Sequence, residues 1–578
     1  MSSPELTATM GPFSCANQQQ GGQSGCSKTG TETCSACKLV LYCSKSCREA
    51  HWPIHKLDCT NHIRKSSWKP AWEIERRKPA FINDLDDSGT ASMAIHGANK
   101  YLWGNVPAID LLQLKENEGS NTNQDLCLLF AASGDPRNFI KTIASLSGEY
   151  QGYIHVDIND RDETVVARNV LMILIALNFP PETASDMIIH IWYSAFLTES
   201  IAQSIKNTIL PIIQDVLNSN IVKPGASSSA LWTYGETKLS VELDGKVWNL
   251  LLAYCNGNHY ISFEHAADLR RSVTMVLSRI DYLDRAMFLL PPSWRVAKIK
   301  FRTDGLLLPF GAARGDFNVP NPTFFHSQTS WPMTDFADPL HGWELRDVLQ
   351  EAYSAKDDIY GLLYMHIRQH LVKFCKRLSA LWLSMSLFCM DALVLPTRIV
   401  EIDDERRYDR IDVANITNLA SLGLPRTISL YGPLLQHPSL NPKATLLTFF
   451  LNTATEMSTI QEREESKKKT DKILREFLPL NPYGPLRGEE YKRSAEFLNF
   501  GHSRSLLFDL EPAFERYMKR WRFLEIGKMS HLEMKARHTI IDKWPMRLSK
   551  RPTKREFELL RWSGHDGSER YVEWRRVL

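Results

Sequence analysis

The 578-residue chain has no long uninterrupted apolar run. Its most apolar span, "LVKFCKRLSALWLSMSLFCMDALVLP", is broken by Lys373, Cys375, Lys376, Arg377 and Asp391. A membrane helix needs roughly 20 apolar residues in succession, so the span predicts a buried helix running into a strand, and no membrane partner. The opening "MSSPELTATM" has neither a basic n-region nor an apolar h-region, which argues against a secretory leader. Charge of one sign is also scarce. A net charge of +3 gives no global electrostatic case for nucleic acid. The basic, Trp- and Phe-bearing tail from Met518 to Trp562 is the one local candidate, but interleaved Glu and Asp point to a solvated surface or a protein contact instead. Cysteine is sparse after residue 60, where Cys127, Cys255, Cys375 and Cys389 stand singly in apolar runs as core fillers. Together these absences predict a soluble intracellular protein, cytoplasmic with the nucleus as the alternative. Hydrophobic residues make up 43% of the chain, enough to bury cores in several domains.

What is concentrated lies before residue 60, where seven of the eleven cysteines fall. The stretch "CSACKLVLYCSKSCREAHWPIHKLDC" holds Cys34-x2-Cys37, Cys43-x3-Cys47 and His55-x3-Cys59. Spacings this short let two side chains converge on one ion, and a spacing of four on a helix puts both on one face. A closed zinc site takes four thiolate or imidazole ligands. Six ligands are two short of two sites, and Cys15 and Cys26 supply the missing pair. So short a segment buries little core of its own, so metal binding must drive its folding, with ~10–16 kcal/mol typical of small zinc modules. His51, four residues before His55, competes for the imidazole position, but His55-x3-Cys59 fits the pattern better.

This segment resembles a MYND zinc finger, and "YCSKSCREAHWPIHKLDC" matches the second half of that family's pattern. The resemblance implies two interleaved sites holding two Zn2+: Cys15, Cys26, Cys43 and Cys47 in one, Cys34, Cys37, His55 and Cys59 in the other. The departure is in the first pair, where an insert from Gln18 to Gly25 lengthens the usual C-x2-C. The first site is therefore expected to hold zinc less tightly. MYND fingers resemble one another as adaptors for short proline-rich peptides. Ser35 and Trp52 match peptide-contact positions, and Arg48 replaces a usual glutamine. An exposed Trp beside a zinc site makes a platform for proline rings; the alternative is that Trp52 packs the small core.

Farther on, "DLCLLFAASGDPRNFIKTIASL" reads as a doubly buried strand, a small-residue turn and a helix. "GYIHVDINDRDETVVARNVLMILIALNF" repeats the form, giving the β-α-β-α start of a doubly wound sheet. In nucleotide and S-adenosylmethionine sites the first turn approaches the ligand and a carboxylate after the second strand binds ribose hydroxyls. Gly134 offers that approach, and Asp157 or Asp160 the carboxylate. Against a dinucleotide stand the single glycine, the donor-less Pro136 and the acidic Asp135. The plainer reading is a helix N-terminus capped by Asp135 with Pro136 at its first position. The block also resembles an uncharacterised domain that follows MYND fingers in fungal proteins, itself similar to the N-terminal part of axonemal dynein preassembly factors. That resemblance covers residues 98–200 and implies a Rossmann-like, methyltransferase-like fold without an established catalytic set.

The expected organisation is a disordered N-terminus (1–14), the finger (15–59), a linker (60–97), the first half of the α/β domain (98–200), a helical and loop-rich region (201–390), completion of the sheet (391–455) and a charged helical C-terminal region (456–578). A short strand at Ile411–Ala414, with Asp409, Asp412 and Asn415 around it, marks the completion. His326, Asp335, Asp338 and His341 fall in a Gly/Pro-rich loop region and read as turn caps. The functional expectation is a zinc-binding adaptor or assembly-type protein with no catalytic residues; the alternative is an S-adenosylmethionine-dependent methyltransferase with an atypical loop.

Overall fold

The computed structural model describes residues 13–18, 25–82, 95–219, 227–257, 261–326, 329–478, 480, 488–565 and 567–577. In the finger, β1 (Glu32–Thr33) pairs antiparallel with β2 (Leu41–Tyr42). Ser44 then caps α1 (Lys45–Cys59), its hydroxyl accepting from Cys47 N at 3.3 Å. Leu39, Val40, Leu41 and Tyr42 are buried beneath it. Of the N-terminus expected to be disordered, residues 1–12 lie outside the described residues. Phe13 and Ser14 belong to the finger: Ser14 bridges Thr29, and Gly30 N donates to Phe13 O at 2.6 Å.

Of the expected linker 60–97, residues 60–82 pack on the α/β domain, and 83–94 lie outside the described residues. Trp72 is buried and donates to Arg493 O at 3.0 Å, Ala71 N donates to Asp284 at 2.7 Å, and Arg77 makes a two-pronged pair with Asp281. Trp72 and Phe81 form a small core with Tyr282 and Phe288. Their basic surroundings concealed these anchors, which bury apolar area whatever the charge of their neighbours.

The rest is a large α/β domain around one mixed sheet. Its strands are β3 (Leu126–Phe130), β4 (Ile154–Asp160), β6 (Ser227–Tyr234), β7 (Thr237–Asp244), β9 (Leu383–Cys389), β10 (Arg410–Asp412), β11 (Thr445–Phe450), β12 (Leu532–Met534) and β13 (Arg570–Arg576); β5 (Phe196–Thr198) and β8 (Phe317–Pro320) form a separate ladder. The order is β12-β13-β11-β10-β3-β4-β9-β7-β6. From β11 to β7 all neighbours are parallel, whereas β6, β13 and β12 each run antiparallel to the strand inside them. The chain steps from β3 to β4 and later β9 on one side, then returns to lay β10 and β11 on the other. That reversal at β3/β10 is a topological switch point, where a doubly wound sheet opens a crevice.

Helices α2 (Arg137–Ser145), α3 (Glu163–Asn178), α4 (Pro181–Tyr193) and α5 (Ile359–Leu378) carry largely buried faces, and α5 runs into β9 as the apolar span predicts. The sheet draws on more of the chain than expected. The region 201–390, expected to be helical and loop-rich, supplies β6 and β7 besides the anticipated β9, and the charged C-terminal region 456–578, expected to be helical, supplies β12 and β13. In β13 charge masks the strand pattern. Arg570 and Glu573 are both buried, Glu573 accepting from Ile540 N at 2.7 Å and pairing with Lys535 at 3.1 Å. Among the described residues no helix is long and apolar enough to cross a membrane.

The finger is seated on this domain. Arg64 donates to Cys59 O at 2.7 Å and Cys37 O at 3.0 Å and faces Asp357 at 3.9 Å, while Asp357 N donates to Lys38 O at 3.2 Å. Ala313 N donates to the Gln18 side chain at 2.9 Å, and a Cβ on Gly311 would lie 3.0 Å from that of Ala16.

Candidate metal centre and sheet-end crevice

Eight ligands gather into two clusters, Cys15/Cys26/Cys43/Cys47 and Cys34/Cys37/His55/Cys59, with the ligand atoms of each within 4.8 Å of one another. In the first, Cys43 Sγ lies 3.4 Å from Cys26 Sγ and 3.5 Å from Cys47 Sγ. In the second, His55 Nε2 is 3.4 Å from both Cys37 Sγ and Cys34 Sγ, and Cys34 and Cys59 are 4.0 Å apart. A zinc tetrahedron with sulfur at ~2.3 Å has edges of about 3.8 Å, so both clusters are of zinc size. The local fold explains the convergence. α1 places His55 and Cys59 one turn apart on its buried face, and the β1–β2 turn brings Cys34 and Cys37 beneath them. Burial raises the Cys37 thiol and lowers His55 to about 4, so the imidazole is neutral and ready to ligate. His51 instead meets Tyr42 Oη at 3.0 Å, and the competition for the imidazole position goes to His55. These are two zinc-binding sites for two Zn2+.

The insert does not break the first site. Cys26 N donates to Asn17 O at 2.7 Å, closing the base of the loop, and Cys15 N donates to Lys28 O at 2.9 Å. Residues 19–24 of the insert lie outside the described residues. The two sites differ in burial: all four ligands of the second are buried, but in the first only Cys15 is, with Cys26, Cys43 and Cys47 half-buried.

On the outer face Ser35 is exposed, Arg48 is half-buried and Trp52 is 44% exposed. The Trp52 ring lies edge-on to that of His55 at 6.1 Å, so one side of it packs on the zinc site and another meets solvent. Ile54 and Leu57 are also exposed, on a side of α1 turned away from Trp52.

A crevice of about 640 Å³ lies at the carboxyl ends of the parallel strands. Gly134 and Asp160 line it, as do Trp103, Asp391, Asp412 and Ala414. Gly134 has φ +56, and Gly134 N donates to Asp160 Oδ2 at 2.8 Å. Asp157 does not line it. It sits mid-strand and wholly buried, accepting from His155 at 2.9 Å, Arg406 at 3.0 Å and Tyr408 at 2.5 Å. Burial opposes its charge, but His155, Arg406 and Tyr408 hold its carboxyl below the usual range. A mid-strand side chain points off a sheet face, whereas Asp160 ends the strand and reaches the rim. The cap position itself falls on Pro136, while the Asp135 carboxylate accepts from the first-turn Arg137 N at 3.4 Å; it also reaches Arg137 Nη1 at 2.5 Å and Gly104 N at 2.7 Å, tying the segment before β3 to the turn after it.

The loop residues do not converge. Asp335 pairs with Arg279 at 3.0 Å, Asp338 with Lys298 at 2.8 Å, and His341 packs beside His565, while His326 neighbours Tyr254. Sequence reading missed Asp391 as a rim residue, since it stands out only as a break in an apolar span. Gln18 and Arg64, which seat the finger, carry no sequence signal.

Two family models match: "MYND finger" at residues 24–59 and "Domain of unknown function (DUF4470)" at residues 102–197. The finger match begins after Cys15, on the far side of most of the insert. Among curated proteins the chain is similar to SET domain and MYND-type zinc finger protein 6 of Schizosaccharomyces pombe, 56% identical over 6% of this chain and 7% of that one. It is also similar to dynein axonemal assembly factor 3 of Danio rerio, 35% identical over 14% and 17%, and to N-lysine methyltransferase SMYD2 of Mus musculus, 36% over 8% and 10%. These matches span less than a fifth of each relative's length. No solved structure gives a significant match.

Proposed function

We propose that the protein is a zinc-built adaptor that presents the outer face of its finger to a protein partner, in an assembly role in the cytoplasm or nucleus. The observation that carries this is directional. The finger is fixed to the α/β domain through Gln18, Lys38 and Arg64, while Trp52, Ile54, Leu57 and Ser35 remain exposed. A semi-exposed indole on a rigid zinc module suits a short proline-rich peptide, whose extended form loses little entropy on docking. The assembly role draws support from the likeness to a protein named as an assembly factor. The test is titration of a proline-rich peptide into the zinc-loaded chain. Trp52→Ala should weaken binding at least ten-fold with two zinc ions retained; unchanged binding in that variant would remove the peptide-platform reading.

A second reading has its own support. The strand order and the crevice at the β3/β10 switch point fit a Rossmann-like, methyltransferase-like domain. Saturable binding of S-adenosylmethionine, lost in Gly134→Trp, would favour a methyltransferase, and its absence would remove that reading.

A further inference from the structure

The large sheet has two unlike edges. β12 is three residues long and its Glu533 pairs with Arg575, so shortness and charge blunt it. β6, at the other edge, is the eight residues "SSSALWTY". It has no charge and no proline, and its register against β7 runs unbroken from Ser227↔Asp244 to Tyr234↔Thr237. A long, straight, uncharged edge is a template for another strand, and natural proteins rarely leave one bare.

The outward hydrogen-bonding groups follow from the turn. Gly235, at φ +59, opens a two-residue turn that closes Tyr234 onto Thr237 as a hydrogen-bonded pair. Such pairs alternate along the ladder. Ser228, Ala230, Trp232 and Tyr234 therefore bond inward to β7, while Ser229, Leu231 and Thr233 turn their N–H and C=O outward. Among the described residues no backbone group bonds to those three. The side chains sort the same way. On the helix-covered face Ala230 and Trp232 are half-buried, with the Trp232 ring 6.3 Å from that of Trp248. On the other face Ser229, Leu231 and Thr233 are exposed, Leu231 by 67%.

We propose that β6 pairs with the β6 of a second copy of this chain, antiparallel about a two-fold axis at Leu231, so that two sheets run on as one. The strand is complementary to itself in that register. Outward groups meet outward groups: Leu231 faces its own copy, and Ser229 faces Thr233. The exposed Leu231 gains apolar cover, and on the helix-covered face the small Ala230 lies opposite the large Trp232. No like charges oppose each other, because the strand has none. On β7, Lys238 is paired with Thr233 and Glu242 with Ser229. The join therefore sets each Lys238 in one cross-strand row with the second copy's Glu242. At three strand spacings, roughly 14 Å, that attraction orients the encounter and adds little affinity. A strand pair of this length buries less than the roughly 1,200 Å² of a stable complex, so the dimer is weak and concentration-dependent. A dimer carries two fingers, so a partner with two binding segments would be held by effective concentration. The inference rests on the sheet edge alone, and dimerisation and peptide binding at the finger fail independently.

The test is sedimentation velocity on the full zinc-loaded chain, over a roughly hundred-fold concentration range around the micromolar Kd expected for so small a join. The mass should rise from one chain toward two, and no further. Leu231→Lys, at an exposed site outside the bonds to β7, puts two cations on the axis and should weaken dimerisation about ten-fold or more with circular dichroism unchanged. Ser229→Lys combined with Thr233→Glu sets opposite charges against each other in this register and should hold Kd within about three-fold of wild type, whereas Ser229→Lys combined with Thr233→Lys should abolish the dimer. A wild type that stays monomeric throughout, growth beyond two chains, a Leu231→Lys dimer as tight as wild type, or equal effects of the two double variants overturns the proposal.

Discussion

The two zinc sites share one short segment, one with four cysteines and the other with three and a histidine, and they are framed differently. The second is enclosed: its four ligands are buried, two come from one face of α1, and Arg64 gathers the carbonyls of Cys37 and Cys59 at its back. The first lies at the finger's edge, with three half-buried ligands and a loop interposed between its first two cysteines. The comparison adds ligand framing to ligand identity. Four cysteines suffice for zinc, but how firmly they are held depends on the backbone behind them.

The largest expected effect comes from opening the enclosed site. Cys37→Ser should remove both zinc ions, because His55 and Cys59 share α1 with Cys47, and losing the second site's metal frees the helix that carries a ligand of the first. Metal content by mass spectrometry checks it, and a variant that keeps the first ion would show that the sites fold independently. The smallest effect comes from deleting Gln18–Gly25, which restores C-x2-C. Shortening the ligand-to-ligand loop about three-fold recovers about 1 kcal/mol of closure entropy, so competition with a chelator should show the first site roughly five-fold tighter. No change would mean that the Asn17–Cys26 bond already closes the loop as well as a two-residue gap does.

Much of the finger was legible in the sequence because metal ligands must be particular residues at particular spacings, and a helix turns Cys47, His55 and Cys59 into fixed directions. The choice of His55 over His51 followed from spacing, and the Tyr42 contact supplies its reason. The α/β start was legible for a similar reason: β3 is a continuous apolar run, and β4 alternates Ile154, Val156 and Ile158 with polar residues. Less legible was whatever depends on partners distant in sequence. β13 reads as charged because Glu573 finds its donors at Lys535 and Ile540, and the supposed linker is ordered because Trp72 finds Arg493. Asp157 and Asp160 looked interchangeable as carboxylates near a strand end. Their position along the strand sets one into a buried ion network and the other at the crevice rim.

The central claim is that the lengthened first site is a working one, distinct from its neighbour. Zinc counted per chain in the wild type and in Cys15→Ser tests it most directly. Two ions in the wild type and one in the variant are predicted. One ion in the wild type, or a variant that retains both or loses both, would contradict the account.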